Sequence, residues 1–189
     1  MLKSTRKIFD TAKECFFLHG YSATSIAMIS RYSGVSRVTI HKQFSSKEVL
    51  FRATLENYLL EKDTEIQEYT NKTGLFWNDT YEFLARRCTE VFDNIPNAMI
   101  KSDLILAGHS HCHDLLEHNR IKTRHAIQTR LQRATKDGQL CLKKIGLDCE
   151  TLATNIQLLA EGIILSSSAA EPNQVVKTTL HVYEVSCTV

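Results

Sequence analysis

Arg37, Thr39, His41, Lys42 and Gln43 stand within seven consecutive positions of a 189-residue chain, and each carries an N–H or O–H donor. No Asp or Glu occurs between Thr24 and Lys47. Donors of this kind, free of acidic neighbours, suit hydrogen bonds to phosphate oxygens and to base edges in the DNA grooves.

The elements needed to present them are legible around them. Thr24 or Ser25 can cap a short helix whose inward side is Ile26, Ile29 and Ser30 or Ser33, at the spacing of one helical face. Gly34 supplies a turn residue tolerant of positive φ, Val35 plugs the turn, and Ser36 caps a second short helix with Ile40 and Phe44 inward. Two such helices across a tight turn make a helix-turn-helix, whose second helix enters the major groove. Ser45-Ser46-Lys47-Glu48 then reads as a capping box, Ser45 as N-cap and Glu48 at the third helical position, opening a helix over 46–69.

Charge is divided unevenly. Residues 1–52 hold nine Lys/Arg against three Asp/Glu, a surplus of six, and the other 14 basic and 18 acidic residues leave the remainder at −4. A basic head on an acidic body points to a nucleic-acid footprint confined to the N-terminus. The start MLKSTRKIFD lacks an apolar h-region and no run reaches the roughly 18 apolar residues of a membrane span, so a cytoplasmic protein without a membrane partner is expected. The six cysteines are scattered, without a CxxC pair, and are expected to be reduced and mostly buried.

Strand signals are weak and the periodicity is helical throughout, which predicts an all-α fold. A first helix, 4–19, places Ile8, Ala12, Cys15/Phe16 and His19 inward, and Gly20 ends it. The helix 46–69 carries Leu50, Phe51, Leu55, Tyr58, Leu59 and Ile66, with a charged second half, EKDTEIQE, expected to face solvent. It links a DNA-binding domain, 1–50, to a helical domain, 51–189. Five further helices follow: 75–94, 96–110 (Met99, Ile100, Leu104, Ile105 and Ala107 inside), 113–136 (Leu115, Leu116, Ile121, Ala126, Ile127, Leu131 and Ala134 inside), 148–168 capped by Asp148, and 172–187. On the last two, Leu152, Ile156, Leu159, Gly162, Ile163 and Ser166/Ser167 form one stripe and Val175, Val176, Thr179, Leu180 and Tyr183 another, suited to an isologous four-helix dimer interface.

The N-terminal quarter resembles the TetR family of bacterial transcriptional regulators. Arg6, Ile8, Ala12, Phe16 or Phe17, Gly20-Tyr21, Thr24-Ser25-Ile26, Ile29, Gly34-Val35-Ser36, Thr39-Ile40, Phe44 and Ser46-Lys47-Glu48 with Leu50 carry the resemblance over about 50 residues. Gly138-Gln139-Leu140, Leu152-Ala153 and Glu161-Gly162 extend it loosely into the body. The resemblance implies a nine-helix homodimer: a helix-turn-helix domain, a linking fourth helix, and a ligand-binding body dimerised through its last two helices. It places Ser36, Arg37, Val38, Thr39, His41, Lys42 and Gln43 on the recognition helix, and Thr24, Ser25 and Lys47 where phosphates are clamped. His41 departs from the family's usual Tyr and Val38 from a small residue; His retains a donor, but the operator preference does not carry over. The implied function is a non-enzymatic regulator, most often a repressor, released from a palindromic operator when a small molecule binds the body. Trp77, Tyr81, Phe92, Met99 and Leu104 are the candidate pocket residues, and no cofactor is implied.

His109-Ser110-His111-Cys112-His113-Asp114, with His118 beyond, concentrates metal-ligand types. On a helix His109 and His113 share a face, and with Cys112 or Asp114 they outline a zinc or copper site, hence an alternative as a metal- or thiol-redox-sensing regulator. The other alternative is a helical enzyme or adaptor that does not bind DNA. No nucleophile elbow or oxyanion element accompanies the Ser, His and Asp of this stretch.

Overall fold

The computed structural model describes residues 3–93, 95–166 and 171–187, without the side chains of Lys3, Glu90, Val91 and Phe92. The pocket candidate Phe92, the stripe residue Ser167 and the side chain of Lys3 lie outside this description. The fold is all-α: α1 (Lys3–Ala23), α2 (Ile26–Ser33), α3 (Arg37–Gln43), α4 (Lys47–Asn71), α5 (Phe76–Asp93), α6 (Ala98–Lys136), a 3-10 turn (Leu142–Ile145), α7 (Cys149–Leu165) and α8 (Pro172–Cys187). Helix α6 is interrupted at Cys112 (φ −140°, ψ 24°). Counting its halves separately gives the nine helices expected, among the described residues.

The chain packs as two units. The first comprises residues 1–61 and 94–116, the second 62–93 and 117–189, so α4 and α6 each contribute to both. The boundary expected at residue 50 thus falls inside α4, and the first unit recruits the start of α6.

In the first unit Ile8, Ala12, Cys15 and Phe16 of α1 pack with Ile29, Ile40, Phe44, Leu50, Phe51, Ala107 and Cys112. His19, expected inward, is exposed. Gly20 (φ 81°) breaks α1, and a Cβ there would meet the Asp103 carboxylate at 2.5 Å, so both the backbone angle and the close approach require glycine. Asp103 accepts the Ser22 N–H at 2.8 Å and its hydroxyl at 2.5 Å, fastening α6 to the turn that leads into α2. Asn97, not Pro96, starts α6 by accepting the Ile100 N–H. Met99, expected inside, is 84% exposed, and Ile121 is also exposed, because the buried side of α6 is completed instead by Lys101, Thr123 and Arg130.

The second unit buries Trp77, Leu84, Ile127, Leu131, Leu152, Ile156, Ile163, Val176 and Leu180 in one core. The charged half of α4 departs in part from its expected solvent exposure: Glu61, Thr64, Gln67 and Glu68 are exposed, but the others are not. Lys62 is buried and pairs with Glu65 at 2.8 Å, Glu65 also meets Arg86 at 3.3 Å, and Asp63 pairs with Lys122 at 2.5 Å. Ion pairing supplies what periodicity cannot show: it lets polar residues face other helices.

Arg130 closes the corner between α4 and α5. Its buried guanidinium donates to Asp79, to the Lys72 carbonyl and to the Gly74 carbonyl, and it lies 5.9 Å from the Tyr69 ring. Tyr69 in turn shares a 2.8 Å hydrogen bond with Thr80 and stacks on Phe83 at 4.2 Å. Truncating one member of a buried pair strands the other charge. Arg130→Ala is therefore expected to cost about 3–5 kcal/mol of stability in urea denaturation; a midpoint unchanged from wild type would contradict the clamp.

Candidate nucleic-acid interface

Caps and side-chain bonds within α2 and α3 shape the reading head. Ser25, not Thr24, caps α2 by accepting the Met28 N–H at 3.2 Å. Gly34 adopts φ 65°. The Ser30 hydroxyl donates to the Val35 carbonyl at 2.7 Å, and the Ser33 hydroxyl accepts the Val35 N–H at 3.2 Å, so the turn's polar groups are paired locally. Ser36 caps α3 by accepting the Thr39 N–H at 3.1 Å, with the two hydroxyls 2.8 Å apart.

Helix α3 buries Ile40 alone, and Phe44 follows it into the core against Phe9. Arg37, Val38, His41, Lys42 and Gln43 are consequently exposed, with Thr39 half-buried. Val38, 65% exposed, offers an apolar contact of the kind a thymine methyl takes. The Gln43 amide oxygen accepts the Thr5 hydroxyl at 3.1 Å, which braces α3 against α1 and leaves its NH₂ for outside partners. The Lys7 ammonium lies 3.6 Å from the Cβ position of Gly34, adding positive charge beside the turn. Thr5 had no local signal in the sequence; its partner is 38 residues away.

Two expected phosphate clamps stand elsewhere. Thr24 is buried and its hydroxyl donates to the Gly20 carbonyl at 2.6 Å, so it secures the α1–α2 junction and does not face outward. The Lys47 ammonium donates to the Tyr21 carbonyl at 3.0 Å and sits 4.2 Å over the Tyr21 ring. Ser46, not Ser45, caps α4 by accepting the Val49 N–H at 3.2 Å, which moves Glu48 one position nearer the helix start. Glu48 accepts the Tyr21 hydroxyl at 3.3 Å; burial, with Glu48 beside it, pushes the Tyr21 phenol up to about 12.

The His-rich stretch does not assemble a metal set. Among the described residues no three His, Cys, Asp or Glu side chains group to hold an ion. Cys112 is buried in the core at the kink, whereas His109 and His113 are exposed on either side of it. His111 packs its ring 5.1 Å from Tyr21, and Asp114 takes Arg52 in a forked pair at 2.7 and 2.6 Å. These residues tie α6 to α1 and α4 within the first unit.

The described pocket candidates divide between the two units. Trp77 is core, stacked 6.4 Å from Tyr183, and Tyr81 packs beside that core in the second unit. Leu104 packs in the first unit and Met99 is exposed. An open cleft of about 230 Å³ in the second unit is lined by Asp63, Ile66, Gln67, Thr70, Lys122, His125 and Ala126. The expected dimer stripe is likewise spent inside the chain: Leu152, Ile156, Ile163, Val176 and Leu180 are buried, with Leu159 and Tyr183 half-buried against them. Among the described stripe residues Gly162 and Val175 are exposed, with nothing within 4 Å of the Gly162 Cβ position.

Residues 8–54 match the model of the bacterial regulatory proteins of the tetR family. The N-terminal head, residues 8–54, is thus similar to the DNA-binding head of the tetR family. Over 50 residues it is 42% identical to the HTH-type transcriptional repressor ComR of Escherichia coli (strain K12), a match covering 26% of this chain and 24% of that repressor. The chain thus spans about a quarter of that relative's length. A TetR transcription regulator from Haloarcula marismortui superposes over 98% of both chains with a TM-score of 0.77 at 17% identity. A gamma-butyrolactone receptor superposes over 98% of this chain and 88% of its own with a TM-score of 0.66 at 13% identity. These two show that the TetR fold extends beyond the matched head.

In the first unit the Arg52–Asp114 fork has a titration signature. The hydrogen bond from Arg52 holds the Asp114 carboxyl down to about 2. A depressed carboxylate contributes stability that is fully present above its unfolded value near 4 and is lost as pH falls through its folded value. NMR titration of Asp114 should therefore give a midpoint near pH 2 in wild type, rising toward the ordinary carboxylate range in Arg52→Ala. Equal midpoints would remove the fork.

Proposed function

We propose that this protein is a ligand-responsive, DNA-binding transcriptional regulator, a repressor that leaves a palindromic operator when a small molecule binds its second unit. The observation that carries the reading is the outward surface of α3, where Arg37, Val38, His41, Lys42 and Gln43 are exposed together on a helix capped by Ser36 and free of acidic residues. Ser25 and Lys7 flank it as phosphate contacts. The repressor role rests on the likeness of the head to ComR, and ligand response on the fold shared with a receptor for a small molecule.

A palindrome needs two heads with recognition helices about 34–36 Å apart. The second copy is expected on the outward faces of α7 and α8, which expose Leu158, Leu165, Val175, Val182 and Val185, with Gly162 leaving room for close approach. The cleft at Asp63, Gln67, Lys122 and His125 is the proposed effector site. A ligand that favours one arrangement of the dimer lowers DNA affinity by its differential affinity for the two states. Such a regulator acts in the cytoplasm; no helix among the described residues is long and apolar enough to cross a membrane.

Lys42→Ala should weaken binding to duplex DNA roughly uniformly across sequences and flatten the plot of log K against log salt by about one unit. Binding unchanged at all salt concentrations would favour the enzyme or adaptor reading. Separately, Leu158→Glu combined with Val182→Glu should convert a dimer to a folded monomer in analytical ultracentrifugation; a persisting dimer would move the interface elsewhere.

A further inference from the structure

The segment after α6 brings two cysteines from distant parts of the chain together. Gly138 (φ 74°) turns the backbone, Leu140 and Leu142 enter the core, and Cys141 lies between them, half-buried. Its N–H donates to the carbonyl of Cys187, the last residue of α8, at 2.7 Å. Backbone bond lengths then limit the separation of the two Cα atoms to about 6.5 Å, inside the roughly 4.4–6.8 Å range that a disulfide spans. Cys187 is fully buried, whereas Cys141 reaches the surface beside the exposed Lys143 and Lys144. The thiols are also near enough that negative charge on Cys141 raises the Cys187 thiol, which burial already pushes up. Cys15, Cys88 and Cys112, by contrast, are sealed in the cores.

We propose that Cys141 and Cys187 are a reversible thiol-disulfide pair, oxidised by a hydroperoxide. The Cys141 thiolate is the entry point because it alone of the pair meets solvent. It attacks the terminal peroxide oxygen; the O–O bond breaks, the alcohol of an organic hydroperoxide or, from hydrogen peroxide, water leaves after protonation, and Cys141 becomes a sulfenic acid. The Cys187 thiol then attacks that sulfur, the S–O bond breaks, water departs and the S–S bond forms. Two electrons pass from the thiols to the peroxide, and a dithiol reductant returns them by exchange. The bond would fasten the end of α8 to the segment that follows α6. This inference holds whether or not the protein binds DNA.

The test uses the full chain, treated with hydrogen peroxide, blocked with an alkylating agent while denatured, and digested with trypsin. The expected result is a disulfide-linked pair of peptides 137–143 and 178–189, about 2 Da lighter than their sum and separated by dithiothreitol. The intact oxidised protein should lose two of its six free thiols, and its unfolding temperature should rise by several degrees and fall back on reduction. Cys141→Ser should abolish both changes and Cys149→Ser should preserve them. Linkage of either peptide to a different cysteine, or over-oxidation of Cys141 without any 137–143/178–189 pair, would overturn the proposal.

Discussion

A seven-residue helix has no stability of its own in water, because nucleation costs more than so few hydrogen bonds return. Helix α3 therefore exists only because Ile40 is buried among α1, α2 and α4 and because Phe44 follows it inward. Its caps, Ser36 at one end and the Phe44 N–H to Ile40 carbonyl bond at the other, tidy a segment that packing already holds. The exposed side chains of α3 are arranged as precisely as that single anchor allows. Ser25, Gly34, the paired hydroxyls of Ser30 and Ser33, and the Thr5–Gln43 bond all restrict how Ile40 enters the core.

The same first unit borrows residues 94–116. Ala107 and Cys112 complete its core, Asp103 binds the turn at Ser22, and Asp114 grips Arg52. The second unit takes the remaining halves of α4 and α6, where Arg130 and the Asp63–Lys122 pair replace apolar contact with satisfied charge. Two helices thus serve both units. In a ligand-responsive regulator such shared helices are where a preference expressed in one unit can bias the other, since rigid elements with two packings carry coupling free energy.

Legibility in the sequence followed the range of the interaction. Ser25, Ser36 and Asp148 act as caps because capping is decided within three residues; the Ser45-Ser46 pair misled by one position, since either serine can cap, and Asn97 took the place expected of Pro96. Apolar stripes located the cores but not which partner they met. On α7 and α8 the stronger stripe fills the chain's own core, and the weaker one, Leu158, Leu165, Val182 and Val185, is left outside. Trp77 and Tyr81, chosen for a pocket, proved to be packing for the same reason. Nothing local could reveal that Thr24 would be buried, that Lys62 would be paired, or that Asp103 would reach Ser22 from 81 positions away.

The most direct test of the account is selection of duplexes from a randomised pool by the full-length protein, followed by sequencing of what it retains. The account predicts enrichment of a palindrome whose half-site centres lie one helical turn, about 10–10.5 base pairs, or a whole multiple of it apart. Retention of an unenriched pool would contradict it, because a basic surface without a correctly held α3 binds DNA without reading it.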